Sequence, residues 1–222
     1  MRSKLIPVAF IAAVPMFSVE PAVAEDGPFS ANISLVSDYV SRGYSLSNGR
    51  PALQGGLDYN HESGLYVGTW GSSVSERALV EGVDGVEIDI YVGYAGEVGE
   101  LGYDVSLARY IFPGSHDSKE TDSTEFVGVL SWDFLSFAYK RDFDFKVHYY
   151  NLSASYEVMD GLSMDASFGY SKPDNDSSYR DWSLGATKHL AGLDFGLHYV
   201  NSSVKNTPNF DDTVVFSISK TF

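Results

Sequence analysis

The sequence has no cysteine, few basic residues and little sustained hydrophobicity. Without cysteine the chain can form neither a disulfide scaffold nor a thiolate metal cluster. Lys and Arg number 15 against 30 Asp and Glu, which gives a formal net charge of −15. Such a chain is not expected to bind nucleic acid, because contacts to phosphates require clustered basic side chains. A mean hydropathy of −0.11 also excludes a bundle of membrane helices.

The chain is rich instead in residues that suit β-structure. Of its 222 residues, 44% are hydrophobic and 14% aromatic, and 21 glycines are present. This length suits one large domain or two small ones. The hydrophobic content is high enough to offset the entropy lost when the chain orders, so disorder is not expected. An all-β protein fits these numbers.

The N-terminal residues have the pattern of an export signal. Two basic residues precede an uncharged stretch, residues 5–19, and small residues at 22–24 form a cleavage site. We expect a cleaved Sec signal peptide over residues 1–24 and a mature domain over residues 25–222. The alternative is a membrane anchor, but the stretch is short of the roughly 20 residues that a spanning helix needs.

Hydrophobic and polar residues alternate along almost all of the mature chain, which is typical of strands with one apolar face. In residues 86–94, for example, Val, Ile, Ile, Val and Tyr share one face, and Glu, Asp, Tyr and Gly share the other. The pattern predicts twelve strands, over residues 29–35, 52–59, 65–74, 86–94, 101–112, 124–131, 135–140, 147–158, 162–170, 181–188, 193–200 and 214–222. The region 132–147 leaves the number open by one hairpin.

Short and long connections alternate strictly between these strands. The long ones cover residues 40–50, 75–85, 113–123, 141–146, 173–180 and 201–212. Short turns at one end and long loops at the other are typical of an outer-membrane barrel. The sequence therefore predicts an antiparallel transmembrane β-barrel of about twelve strands with both termini at the periplasmic end. The long loops look too short to form a substantial plug.

A secreted soluble β-sandwich is the alternative fold, since its strands would alternate in the same way. A sandwich does not require the strict alternation of short and long connections. Aromatic residues near strand ends also favour the barrel, because Tyr and Trp collect at membrane interfaces. The expected belt contains Tyr59, Trp132, Tyr149, Tyr170, Trp182 and Tyr199.

Three motifs carry a resemblance to a known family. They are SDYVSRG at residues 37–43, PALQGGLDY at residues 51–59 and HESGLYVG at residues 61–68. The series resembles the TorF-type porins, a bacterial family long of unknown function. The positions that carry it are Ser37, Asp38, Tyr39, Arg42, Gly43, Gly55, Gly56 and Gly64. The resemblance implies an outer-membrane barrel that passes small solutes, and it suggests methylated amines or amine oxides. It assigns no role to individual residues.

The alternation also predicts which polar side chains face the lumen. The expected pore-lining residues are Asp58, Tyr66, Trp70, Glu87, Asp89, Tyr91, Asp104, Glu125, Glu157, Asp165, Asp181 and Asp194, with Arg42, Lys140 and Arg180 as basic candidates. Several of the acids lie near short turns and are expected to form a ring there, which would favour cations. Aromatic faces beside acids could also hold a methylated ammonium by cation–π attraction. Inward glycines are expected to leave the lumen open.

Two further interpretations concern residues outside this ring. Asp38 and Arg42 are four residues apart and would lie on the same face of an extended segment, so they could pair with each other. Alternatively, Arg42 could bridge to inward acids near the outer mouth. The acids of the long loops are expected to be solvated, with bridging of divalent cations to lipopolysaccharide left open.

An enzyme is the competing class, because some outer-membrane barrels are phospholipases. A serine nucleophile needs a histidine within reach and a third group to orient it. The candidates are His61 with Ser63, His116 with Ser118, and His198 with Ser202, and none makes a convincing triad. We expect no catalysis, no cofactor and no metal.

The expected partners are outer-membrane lipid and lipopolysaccharide, small polar solutes, periplasmic chaperones and the barrel-assembly machinery. A closed barrel that acts as a scaffold, adhesin or receptor is the alternative function, because twelve strands do not guarantee an open lumen.

Overall fold

The computed structural model describes residues 27–75, 85–113 and 121–222, and these residues form β-strands joined by turns and loops. The strands are β1 (Phe29–Val36), β2 (Val40–Ser41), β3 (Tyr44–Ser45), β4 (Ala52–Asn60), β5 (Leu65–Val74), β6 (Gly85–Val98), β7 (Leu101–Ile111), β8 (Ser123–Trp132), β9 (Leu135–Asp142), β10 (Val147–Met159), β11 (Leu162–Pro173), β12 (Tyr179–Leu190), β13 (Leu193–Ser202) and β14 (Thr213–Thr221). None of the described residues forms a helix long and apolar enough to cross a membrane. The expected signal peptide lies outside the described residues.

Twelve of these strands close into one antiparallel barrel. Each strand from β4 to β14 pairs with the next along the chain, and β1 closes the cylinder between β14 and β4. β1 pairs with β4 along its whole length, from Phe29 opposite Tyr59, and with β14 from Asn32 opposite Thr221 onward. The predicted fold class and all twelve predicted strands are confirmed, including β9 in the ambiguous region.

The period-two pattern decides which way each side chain points. Large apolar residues such as Ile33, Val92 and Phe216 face outward and are about half exposed. Their polar neighbours face the interior, where Glu87, Glu125 and Asp181 are fully buried. A lipid environment accepts the first set, and a closed cylinder satisfies the backbone of every strand. The apolar surface of this protein is therefore on the outside of the barrel.

The ends of the barrel differ as the sequence predicts. Turns of two to four residues join the strands at one end, and the longer connections lie at the other. The start of β1 and the end of β14 lie at the end with the short turns. By the convention of outer-membrane barrels, we call these the periplasmic and extracellular ends. One extracellular connection, residues 143–146, is itself only a short turn.

The first extracellular connection, residues 37–51, does not lie outside the barrel. We call it the inward loop. It carries the two-stranded hairpin of β2 and β3, and most of its side chains are buried, among them Tyr39, Arg42 and Leu46. The loops are predicted to be too short for a substantial plug, yet this one enters the lumen through a two-stranded hairpin. A hairpin needs few residues to reach the centre of a barrel as narrow as twelve strands.

Candidate functional site: the two halves of the lumen

The tip of the inward loop is a two-residue turn formed by Arg42 and Gly43. Both have positive φ, 49° and 76°, as a tight hairpin turn that matches the strand twist requires. A Cβ on Gly43 would lie 2.8 Å from the Ser202 Cβ and 3.0 Å from the Asp181 Cβ. Glycine is thus needed twice here, for the left-handed backbone and for the close approach to the barrel wall. The turn presents Arg42 to the centre of the lumen.

Arg42 joins the tip of the inward loop to β8 and β10 of the barrel wall. Its Nη2 donates to Glu125 Oε1 at 2.7 Å, and both side chains are almost fully buried. Its guanidinium carbon also lies 4.1 Å from the ring centroid of Tyr149. Tyr110 donates to the second oxygen of Glu125 at 3.0 Å. Of the two roles left open for Arg42 by the sequence, the structure shows the bridge to an inward acid.

Asp38 has a different role, because it closes the loop on itself. Its Oδ1 accepts hydrogen bonds from the hydroxyls of Ser45 at 2.5 Å and Ser47 at 2.8 Å. The Ser47 hydroxyl in turn accepts from the backbone N–H of Tyr39 at 2.8 Å. These bonds tie the start of the loop to its end. The residues of the SDYVSRG motif therefore build the hairpin and its arginine tip.

A second loop holds the hairpin from the side. The ring of Tyr44 packs edge-on against Phe210, with centroids 4.8 Å apart. The side-chain N–H of Asn209 donates to the Tyr44 hydroxyl at 3.3 Å, and the carbonyl of Asn209 accepts from Ser45 N at 2.8 Å. Burial raises the pKa of Tyr44, an effect that the bond from Asn209 partly opposes. The loop is thus anchored on two sides.

More charged groups fill the extracellular half of the lumen. Glu87, Asp89 and Asp142 are buried on the inner wall around the Arg42–Glu125 pair. Lys140 lies on the same inner face, in register between Val127 and Tyr149. Among the described residues, buried charged side chains thus surround the hairpin tip in this half of the lumen.

In the periplasmic half, large side chains reach across a glycine to a carboxylate two strands away. Tyr91 on β6 crosses Gly68 on β5, and its hydroxyl donates to Asp58 on β4 at 2.5 Å. Tyr66 on β5 crosses in the opposite direction, over Gly93, and donates to Asp104 on β7 at 2.9 Å. The two tyrosine rings lie beside each other, with centroids 6.3 Å apart.

A third crossing lies on the far side of the barrel. His198 on β13 lies over Gly185 on β12, and its Nε2 is 3.1 Å from Asp165 Oδ2 on β11. Asp165 also accepts from the hydroxyls of Ser155 at 2.7 Å and Thr187 at 2.8 Å. One crossing of the same kind lies nearer the extracellular end. There Tyr149 passes over Gly169, and its hydroxyl donates to Asp181 Oδ1 at 3.0 Å.

These crossings correct the expectation that inward glycines leave the lumen open. The space beside Gly68, Gly93, Gly169 and Gly185 is occupied by the side chain of a neighbouring strand, and a Cβ there would clash with it. Each of these glycines provides the space that a large polar side chain of a neighbouring strand occupies. Sequence parity identifies the inward glycines, but the side chain that fills each one depends on the register of the closed sheet.

The structure places the predicted pore-lining residues as follows. Those that face the interior are Asp58, Tyr66, Trp70, Glu87, Asp89, Tyr91, Asp104, Glu125, Asp165 and Asp181. Glu157 lies at the periplasmic rim, where its carboxylate accepts from Gly161 N at 2.7 Å. Asp194 lies at the same rim and binds the His189 ring at 2.8 Å. Whether these groups line a path for solutes stays a prediction.

Two sequence assignments are wrong. Arg180 is exposed and lies opposite the outward Tyr170, so it does not face the lumen. Tyr149 is buried inside the barrel and is not part of the interfacial belt. Tyr149 lies on the same face of the strand as Glu157, which the sequence assigns to the interior, so the alternation also places Tyr149 inside. The neighbouring Tyr150 is the outward residue of this pair.

The candidate catalytic sets do not come together among the described residues. His61 Nδ1 contacts the Ser63 hydroxyl at 2.8 Å, but this pair is exposed in a turn. His198 faces Asp165 inside the barrel. The set around His116 lies outside the described residues. In the part of the chain that the structure describes, no three potential ligands are arranged to hold a metal ion.

A closed antiparallel cylinder with an apolar outer wall and a charged interior defines the class, a transmembrane β-barrel of the porin type. The chain belongs to the family described as "Bacterial protein of unknown function (Gcw_chp)", whose model matches residues 22–222. The resemblance to the TorF-type porins is not confirmed by this match. No curated protein matches the sequence.

Solved porins share the fold but little sequence. A KdgM porin has a TM-score of 0.57 at 8% identity, over 87% of this chain and 98% of that one. A NanC porin has a TM-score of 0.54 at 11% identity, over 86% and 97% of the two chains. Omp33 of Acinetobacter baumannii has a TM-score of 0.53 at 5% identity, over 88% and 98%. At such identities the likeness concerns the fold alone.

Proposed function

We propose that this protein is a narrow outer-membrane porin through which small polar solutes diffuse passively, with a preference for cations. The observation that carries the proposal is the charged interior inside an apolar outer wall. A barrel through which no solute passes does not require so many ionisable groups in its interior, because each of them is costly to bury. The proposal includes export through a signal peptide over residues 1–24 and membership of the TorF-type porins. It includes no catalytic activity.

The cation preference is supported by the sign of the interior charge. In the periplasmic half, the carboxylates of Asp58, Asp104 and Asp165 are only partly buried, and the donors to the first two are neutral phenols. A cylinder lined by acids attracts cations and repels anions, as acidic rings do in cation channels. Methylated amines are candidate solutes, since Tyr66, Tyr91 and Trp70 present aromatic faces beside these acids.

The inward loop gives this porin its constriction. Arg42 lies at the tip of a hairpin held by hydrogen bonds within the loop and by packing on Phe210. The conducting state is one in which the loop moves away from Glu125 far enough to leave a path. We expect the resting barrel to conduct in brief openings rather than continuously.

The experiment is single-channel recording of refolded residues 25–222 in a planar bilayer, with a salt gradient across it. Heat-modifiable mobility on a gel first establishes that the barrel has folded. Discrete openings with a reversal potential on the cation side support the proposal. A folded barrel without conductance contradicts it, and an anion-side reversal potential contradicts its cation preference alone.

A closed barrel is the second candidate, and the packed extracellular half favours it. Glu87, Glu125, Asp142 and Asp181 have no exposed surface. If the inward loop never leaves the lumen, the protein acts as a scaffold or receptor through its outer surface. Loosening the loop distinguishes the two candidates. Tyr44→Ala removes the packing on Phe210, so it should increase channel openings if the protein is a porin, whereas a closed barrel should stay silent.

A further inference from the structure

The outer wall carries a row of basic side chains at the extracellular end of three neighbouring strands. Pairing places His148 on β10 directly opposite Arg141 on β9 and directly opposite Lys172 on β11. All three lie on the outward face, and Lys172 is exposed. Side chains directly opposite each other in a sheet have Cβ atoms about 5 Å apart. We call these three residues the basic row.

A second row, of tyrosines, lies two residues nearer the middle of the same strands. Tyr150 on β10 is opposite both Tyr139 and Tyr170. The ring centroids are 5.3 Å apart in the first pair and 6.5 Å in the second. The two rows are connected, because the Tyr139 hydroxyl lies 2.9 Å from His148 Nδ1. At about 3.3 Å per residue, the rows are roughly 7 Å apart along the strands.

A third row, again two residues further in, is entirely apolar. Leu152 is opposite Phe137 and Phe168. These side chains are 43–53% exposed on the outer wall. Across three strands the surface thus changes from cations to phenols to hydrocarbon. This is the order in which a phosphorylated lipid presents its phosphate, its polar linkage and its acyl chains to a membrane protein.

The basic row contrasts with the charge of the whole molecule. The chain carries a net charge of −15, yet three further basic residues flank the row at this end: Arg109, Lys146 and Arg180. The acids that face the same surface come from the adjoining loops. Arg109 contacts Asp122 and Asp144, each at 3.5 Å. Arg109 is thus offset by acids of the adjoining loops, whereas Lys172 is exposed on the outward face.

Asp174 is the acid that bears directly on the basic row. It accepts two hydrogen bonds from Arg141, at 3.2 and 2.9 Å, and lies 3.5 Å from His148 Nε2. The bonds from Arg141 hold the pKa of Asp174 below its usual range, so this carboxylate stays ionised. It occupies Arg141 in the way that a phosphate would, because guanidinium groups bind both anions with paired hydrogen bonds.

We propose that Arg141, His148 and Lys172 form a binding site for the phosphate of a lipid in the outer leaflet, whose acyl chains lie along the tyrosine and apolar rows. Asp174 is the internal competitor that the phosphate displaces from Arg141. The lipid is of the phosphorylated glycolipid type, because two phosphates on one headgroup can engage both the basic row and the flanking Arg180 or Arg109. The site lies on the outside of the barrel and does not depend on whether the lumen conducts.

The test is titration of the refolded barrel in detergent with bis-phosphorylated lipid A, with bound lipid counted by native mass spectrometry. A variant with Arg141→Ala, His148→Ala and Lys172→Ala should bind about tenfold more weakly, the sum of three partly exposed ionic contacts. The matched control is Lys188→Ala with Lys220→Ala. These two basic residues also face outward, but at the periplasmic end. The control should bind as the parent does.

Two further arms separate the proposal from a purely structural role. Asp174→Asn should bind lipid A more tightly than the parent, since it frees Arg141. If the basic row served only to hold Asp174, the variant would lose stability without gaining affinity. Lys172→Ala alone covers the case in which the triple variant does not fold, and it should weaken binding about two- to threefold.

Dephosphorylated lipid A and inorganic phosphate identify the source of the anion. The dephosphorylated lipid should bind no better to the parent than to the triple variant. Inorganic phosphate should displace lipid A only at a large excess, because it gains nothing from the tyrosine and apolar rows. Three results would each overturn the proposal. They are equal binding of lipid A and its dephosphorylated form, equal weakening by the triple variant and the control variant, and displacement of lipid A by an equal concentration of inorganic phosphate. Conductance of the triple variant should match the parent, so failure here is distinct from failure of the porin function.

Discussion

The two halves of the lumen use carboxylates in different ways. In the extracellular half, Glu125 is fully buried and is compensated by Arg42, a cation delivered by a loop. In the periplasmic half, Asp58 and Asp104 are partly open to the interior and accept from tyrosines of the wall itself. The first arrangement depends on a loop inserted between the walls, whereas the second is built into the sheet. For the proposed porin, the contrast predicts that the extracellular half controls passage and the periplasmic half sets which charge passes.

The largest effect should follow from breaking the Arg42–Glu125 pair. Arg42→Ala leaves a buried carboxylate without its cation, which typically costs about 3–5 kcal/mol. We expect this loss in denaturant unfolding of the refolded barrel, together with longer channel openings. Arg42→Met combined with Glu125→Leu should be far less destabilising than either single change, because no charge is then stranded. Single variants as stable as the double variant would contradict this role for the pair.

Gly43 tests whether the close approach of the hairpin tip to the wall matters. Gly43→Ala and Gly49→Ala both place alanine at a positive φ, 76° and 69°, at a cost of about 1–2 kcal/mol each. Only the first also drives a Cβ against Ser202, since the Cβ position at Gly49 has no atom within 4 Å. Gly43→Ala should therefore be the more destabilising of the two, and it should increase channel openings while Gly49→Ala does not. Equal behaviour of the two variants would show that the wall contact is dispensable.

Charge selectivity should be sensitive to the periplasmic half. Asp104→Asn combined with Asp165→Asn should move the reversal potential toward zero, because two acids of the lining lose their charge. Glu87→Gln is the control in the extracellular half, where the carboxylate is fully buried. It should leave the reversal potential near that of the parent. A larger shift from Glu87→Gln would reverse the roles of the two halves.

The smallest effect concerns alkaline pH and the anchor of the inward loop. Burial raises the pKa of Tyr44, so the folded state favours the neutral phenol over the phenolate. The resulting stability is complete below the unfolded pKa of about 10 and is lost as pH rises toward the higher native value. Channel openings should therefore become more frequent above about pH 10. Tyr44→Phe, which cannot ionise, should show a flatter pH profile, and an identical profile would exclude Tyr44 as the cause.

Much of the barrel can be predicted from the sequence because the relevant rule is local. A period of two fixes which residues of a strand share a face, and turn residues fix where strands end. This is why all twelve barrel strands, and the inward direction of acids such as Asp89 and Asp181, follow from the sequence. The same rule also places Tyr149 inside, because it shares a strand face with the inward Glu157.

The contacts of the inward residues could not be predicted in this way. Tyr91 meets Asp58 because the sheet closes in a register that sets Gly68 between them. The spacing of these partners along the chain follows no repeating pattern, so only the pairing of strands in the sheet brings them together. The same holds for His198 and Asp165, which meet across Gly185.

The sequence by itself determined a β-barrel with an apolar outside, a charged inside and alternating short and long connections. It also supplied the arginine–glycine turn of the first loop. Only the tertiary structure decided that this loop points into the lumen, that Arg42 meets Glu125, and that inward glycines are filled rather than empty. The physical reason is that alternation acts between neighbours along the chain, whereas closure of the cylinder brings together residues as far apart as Ser37 and Phe216, 179 positions along the chain.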